Sequence, residues 1–87
     1  MPARRYHIFT QAKTGYIDID GDNITYSLDR TFQTRLSYIQ SIENVGDLAL
    51  SKCKAKMSYY SLMGDLQSAE FIINQNDLLG LKKTIGK

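Results

Sequence analysis

The sequence predicts a mainly β fold: antiparallel hairpins forming a small curled sheet or barrel, closed by one short C-terminal amphipathic helix. Three observations carry that expectation. Tyr16-Ile17-Asp18-Ile19 and Ile24-Thr25-Tyr26-Ser27-Leu28 alternate polar and apolar residues on either side of turn chemistry at Asp20-Gly21-Asp22-Asn23. Lys52-Cys53-Lys54-Ala55-Lys56-Met57 alternates just as strictly, and Gln67 to Asn74 supplies a strand to pair with it. Leu78, Leu81 and Ile85 then recur at helical spacing near the end of the chain.

Taken in order, Tyr6 to Thr10 reads as a short strand. In the first hairpin, a loop at residues 20–23 sets Ile19 opposite Ile24 and Ile17 opposite Tyr26. The large apolar side chains then share one face, and Asp18, Thr25 and Ser27 share the other. Asp29-Arg30-Thr31 reads as a second turn. Phe32, Thr34, Leu36 and Tyr38 alternate after it with Gln33, Arg35 and Ser37, and Ile39 and Ile42 carry apolar content toward Gly46.

Residues 48–63 admit two readings. As a helix, the segment has Asp47 as N-cap, Gly64 past its end, and Leu50, Cys53, Met57 and Tyr60 near one face; the chain is then α+β. As a strand, its lysines oppose Cys53, Ala55 and Met57. The strand is preferred because Gln67 to Asn74 needs a partner. A three-residue loop at Met63-Gly64-Asp65 sets Met57 opposite Phe71, Ala55 opposite Ile73 and Tyr59 opposite Ala69. The terminal helix has Asn74 or Asn76 as cap, Asp77 in its first turn, Lys82 and Lys83 in its last, and Gly86 as terminator. So short a helix is marginal alone, so its leucines must dock on the sheet.

The chain has 87 residues, enough for one domain spanning 1–87. A chain this size buries roughly 60% of its unfolded surface, which makes for a thin core. Hydrophobic residues are 43% and charged residues 23%, a balance that excludes disorder. The net charge of +2 falls short of a dedicated nucleic-acid binder. The excess lies wholly in the second half and is all lysine. Cys53 is the sole cysteine, so no intrachain disulfide forms and a reducing compartment is expected. No apolar run reaches the length of a membrane span. Met1-Pro2-Ala3-Arg4-Arg5 leads into mixed polar sequence, not a signal-peptide core. A cytoplasmic location is expected.

Several hairpins followed by one amphipathic helix resemble a pleckstrin-homology-like (PH-like) domain, in particular the compact GRAM and bacterial or archaeal PH-like versions. Gly15 to Leu28 is similar to the opening hairpin. Leu36-Ser37-Tyr38-Ile39-Gln40-Ser41-Ile42 resembles the strand that brings a leucine-and-isoleucine pattern into the core. Phe71-Ile72-Ile73 and Asp77-Leu78-Leu79-Gly80-Leu81 resemble the last strand and its capping helix. The closing helix is shorter than is usual in that family and contains Gly80. The first hairpin loop carries Asp20 and Asp22 where lipid-binding members carry basic residues, so lipid binding is not carried over. The resemblance implies a docking scaffold, and fold alone does not fix function.

No catalytic constellation is legible, and no cofactor is expected. His7 is the only histidine and has no local nucleophile or orienting carboxylate. Cys53 sits on an apolar face, where a buried thiol is the ordinary outcome. Asp18, Asp20 and Asp22 have the spacing of a calcium loop, with Asp29 at the twelfth position. Gly21 and Asn23 occupy the wrong positions for such a loop, so a solvated hairpin turn is expected and the three are a weak metal candidate only. Lys52, Lys54 and Lys56 form a row of charge on one strand face, with Glu70 expected opposite Ser58. With Tyr60, Lys82 and Lys83 they are the candidate contact residues for a protein partner or an anion. Tyr26, Tyr38 and Tyr59 are assigned to the core, and Tyr16 and Tyr60 to the surface. The expected function is a non-enzymatic module that docks a protein partner or its own copy as a homo-oligomer. The alternative is binding of nucleic acid or another anionic surface through the lysine row and Lys82, Lys83 and Lys87.

Overall fold

Alternating residues put their side chains on opposite faces of a strand, and in this chain the alternation builds seven antiparallel strands. A computed structural model describes residues 4–86. The strands are β1 (Arg4–Phe9), β2 (Thr14–Asp20), β3 (Asn23–Ser27), β4 (Thr31–Arg35), β5 (Ile39–Asp47), β6 (Lys52–Tyr60) and β7 (Leu66–Asn74), and they are followed by α1 (Gln75–Ile85). They form one sheet in the order β4-β3-β2-β1-β7-β6-β5. The mainly β fold with one C-terminal helix is therefore as the sequence predicts. The sheet is open: among the described residues no ladder joins β4 to β5, so the barrel form is not reached by backbone pairing.

The first hairpin has the expected register, with Ile19 opposite Ile24 and Ile17 opposite Tyr26. Its loop is tighter than expected, because Asp20 also pairs with Asn23. Gly21 takes φ 61° at the first turn position, which a two-residue turn of this hand asks of glycine. Residues 52–60 are strand and not helix. Their register with β7 corrects the expected one by two residues: Met57 faces Ala69, Ala55 faces Phe71, Cys53 faces Ile73 and Tyr59 faces Gln67. The loop is accordingly longer, Ser61 to Asp65, and closes through the Ser61 N–H donating to the Asp65 carbonyl at 2.8 Å. A shift of two leaves every side chain on its own face, so hydrophobic pattern alone does not distinguish the two registers.

A second correction falls at residues 36–38. The alternation expected through Tyr38 stops at Arg35, and Leu36–Tyr38 make one 3-10 turn. The Leu36 N–H donates to the Asp22 carbonyl at 2.8 Å, Leu36 packs against the core, and Tyr38 is left exposed instead of joining the core.

The two arms of the sheet, β1–β4 and β5–β7, are joined along β1 and β7 by a single paired position, Phe9 opposite Ile72. Side chains complete the join. Phe32 stacks on Tyr26 at 4.9 Å and on Tyr59 at 4.6 Å. In a flat sheet β4 and β6 would lie about 24 Å apart, so these rings bring the inner faces of the arms together. Arg30 ties them again, donating to Tyr59 Oη at 3.2 Å and to the Ser68 carbonyl at 3.0 Å. Helix α1 covers the join, burying Leu78, Leu81 and Ile85, and the Tyr6 and Thr84 hydroxyls are hydrogen-bonded at 3.0 Å. Asn74 stands at the N-cap without a side-chain hydrogen bond, and Gly86 ends the helix at φ 82°. Among the described residues no helix is long and apolar enough to cross a membrane.

Candidate functional site

Strand β6 presents the lysine row as its alternation requires. Cys53, Ala55, Met57 and Tyr59 point into the core, so Lys52, Lys54 and Lys56 point away from it. The neighbouring strands put acid among them. Lys56 is paired across the backbone with Glu43 on one side and Glu70 on the other. Glu70 thus faces Lys56, not Ser58 as expected, a consequence of the two-residue register correction. Its carboxylate makes an ion pair with Lys54 at 3.3 Å. Lys52 lies over the Phe9 ring at 4.7 Å, a cation–π contact. The row is therefore a mixed-charge face. Lys82 borders a different groove, beside Asn44, Asp47 and Gln75, and Lys83 is exposed on α1. Lys87 lies outside the described residues.

The aspartates of the first hairpin do not converge. Asp18 accepts two hydrogen bonds from Arg5, at 2.7 and 2.9 Å, and that bond holds the Arg5 guanidinium above its ordinary pKa. Asp20 ends β2 and Asp22 sits in the turn. Among the described residues no three histidine, cysteine or acidic side chains are grouped to hold a metal ion. His7 is exposed on β1. The Cys53 thiol is buried; burial pushes its pKa up, and Asp47 adds to the rise. A thiol held protonated is a poor nucleophile.

The feature that sequence reasoning missed lies at the β6–β7 turn. Leu62 is 90% exposed and Met63 89% exposed, with Tyr60 and Leu66 standing out beside them. A hairpin loop is ordinarily polar, so two large apolar residues at its tip are themselves the signal. The turn is well built: the Ser61 hydroxyl accepts from the Met63 and Asp65 N–H groups at 3.3 and 3.2 Å. Of the expected contact residues, only Tyr60 belongs to this end of the molecule.

Between the β6–β7 turn and β4 run two adjoining grooves of about 270 and 400 Å³, which share Gln33, Thr34 and Leu62 in their walls. Phe32 and Tyr59 line the first, and Arg35 and Tyr38 the second. Leu48, Leu50 and Leu79 are exposed as well, but line neither of these grooves. No family model matches this chain, and no curated protein matches it.

Proposed function

We propose that the protein is a non-enzymatic docking module on a PH-like scaffold, binding a protein partner or its own copy through the β6–β7 turn and the adjoining face of β4. One observation carries this reading: Tyr60, Leu62, Met63 and Leu66 stand exposed together on one ordered turn. Single exposed apolar residues are ordinary, whereas a contiguous group rimmed by polar residues is the mark of an interaction surface. The scaffold assignment draws its support from the order of elements, hairpins followed by one docked C-terminal helix. The buried protonated thiol of Cys53 fits a reducing, cytoplasmic setting. Docking ranks above nucleic-acid binding because Glu43 and Glu70 are interleaved with the lysine row, and phosphate contacts reward uncompensated cations.

The test is a triple variant, Leu62→Ser with Met63→Ser and Leu66→Ser, in the full chain. Each exposed substitution of this kind leaves stability within about 0.5 kcal/mol. Light scattering and affinity isolation should show that a copy or partner held by the native chain is lost from the variant. Equal recovery by both chains would overturn the reading.

A further inference from the structure

Strand β4 is an open edge, and its ladder shows which of its backbone groups are unused. The Leu28 N–H donates to the Arg30 carbonyl at 3.0 Å, and the Leu36 N–H donates to the Asp22 carbonyl at 2.8 Å. Facing positions alternate along an antiparallel edge. Arg30, Phe32, Thr34 and Leu36 therefore turn their backbone groups toward β3, while Thr31, Gln33 and Arg35 turn theirs outward. The register of β4 on β3 has no irregularity, whereas the other edge, β5, carries two. Bulges blunt an edge against further pairing, so β4 is the edge left ready for an added strand.

The surroundings of β4 select what that strand can be. The two grooves beside it are lined by the apolar Phe32, Tyr59 and Leu62, and among the described residues the charged side chains lining them are Arg30 and Arg35. Among the described residues neither arginine has a carboxylate partner. A second copy fits this edge poorly. Two β4 strands paired about Gln33 would set Arg35 opposite Thr31 of the other copy, so the added strand would bring no carboxylate to either arginine.

Building on the docking reading above, we infer that β4 binds an extended, acidic peptide segment of another protein as an eighth strand. The peptide's backbone pairs with Thr31, Gln33 and Arg35, its carboxylates meet Arg30 and Arg35, and its apolar side chains enter the grooves. Main-chain pairing supplies the affinity and the side-chain grooves the selectivity, as in other strand-addition modes.

The experiment selects displayed random heptapeptides on the full chain, then measures a selected peptide by fluorescence polarisation and amide hydrogen exchange. Selected sequences should be enriched in Asp and Glu, and their binding should weaken with added salt. Arg35→Glu should weaken binding about tenfold. Gln33→Pro removes an outward N–H without touching the β3 ladder and should abolish binding. The Thr31, Gln33 and Arg35 amides should gain protection when peptide is bound. Selection without acidic enrichment, or native affinity in Arg35→Glu with those amides unprotected, would overturn the inference even if Gln33→Pro fails to fold. If no peptide is selected while the triple variant at the β6–β7 turn still loses its partner, the strand-addition inference fails and the docking reading stands. If that variant loses nothing, both fail.

Discussion

In the arm formed by β1–β4 no large apolar side chain is exposed among the described residues, whereas from Tyr38 onward nine are. The contrast extends to the turns. Gly21 and Asp22 make the β2–β3 turn, and Thr10 closes the β1–β2 loop by accepting from the Ala12 and Lys13 N–H groups. In the second arm the β5–β6 turn sets Leu50 at φ 62° and Ser51 at φ 60°, a conformation suited to Asn-Gly. At the other end of β6, the β6–β7 turn exposes Leu62 and Met63. The turns of the first arm follow what folding favours, and its open edge at β4 lies beside the β6–β7 turn of the second. The second keeps features that folding does not need, and those features are where contact with another molecule is to be sought.

The comparison breaks most severely if the arms are independent. Phe71 of β7 reaches Tyr26 of β3, with ring centroids 6.1 Å apart. Phe71→Ala should therefore cost about 3–5 kcal/mol and weaken both arms in one transition. Urea unfolding followed by hydrogen exchange in β2–β3 and in β6–β7 would check this. Exchange that rises in the second arm alone would show the arms to be separate units.

A smaller effect sharpens the contrast between turns. Left-handed backbone at a residue other than glycine costs about 1–3 kcal/mol. Leu50→Asn combined with Ser51→Gly should thus stabilise the protein by about 1–2 kcal/mol. Thermal denaturation showing no gain would mean that the turn is not strained, despite the Gln75 N–H donating to the Ser51 carbonyl at 2.9 Å and holding it in place.

The smallest effect belongs to the first arm. Burial pushes the Tyr26 phenol above its ordinary pKa, and Asp29, which accepts its hydrogen bond at 3.1 Å, pushes it further. The fold favours the protonated form. Its contribution to stability is therefore full below pH of about 10 and is lost as pH rises beyond that, where the unfolded chain gives up its proton first. Tyr26→Phe should cost about 1 kcal/mol at neutral pH and flatten part of the alkaline loss. Denaturant midpoints measured across that range would check it, and an equally steep alkaline loss in the variant would contradict the assignment.

The legibility of the sequence follows the same division. The register of the first hairpin is legible because the Asp20-Gly21-Asp22-Asn23 turn selects the pairing of Ile17 with Tyr26 and Ile19 with Ile24, although the turn closes more tightly than expected. The second hairpin was legible in kind but not in register, because a slip of two moves no residue off its face and the loop of Ser61 to Asp65 lacks a unique turn signature. The lysine row is legible from alternation, but its compensation is not, since that depends on where β5 and β7 place Glu43 and Glu70. The grooves beside β4 were invisible, because Arg30, Phe32, Arg35 and Leu62 come together only when the arms close on each other.

The most direct test of the contrast is photocrosslinking in cells, with a photoreactive residue placed in turn at Leu62 of the second arm and at the exposed Lys13 of the first. Protein adducts from position 62, at the mass of a second copy or of a discrete partner, with none from position 13, are the predicted result. Adducts of equal yield from both positions, or none from position 62, would contradict the assignment of the contact surface to the β6–β7 turn and the β4 edge beside it.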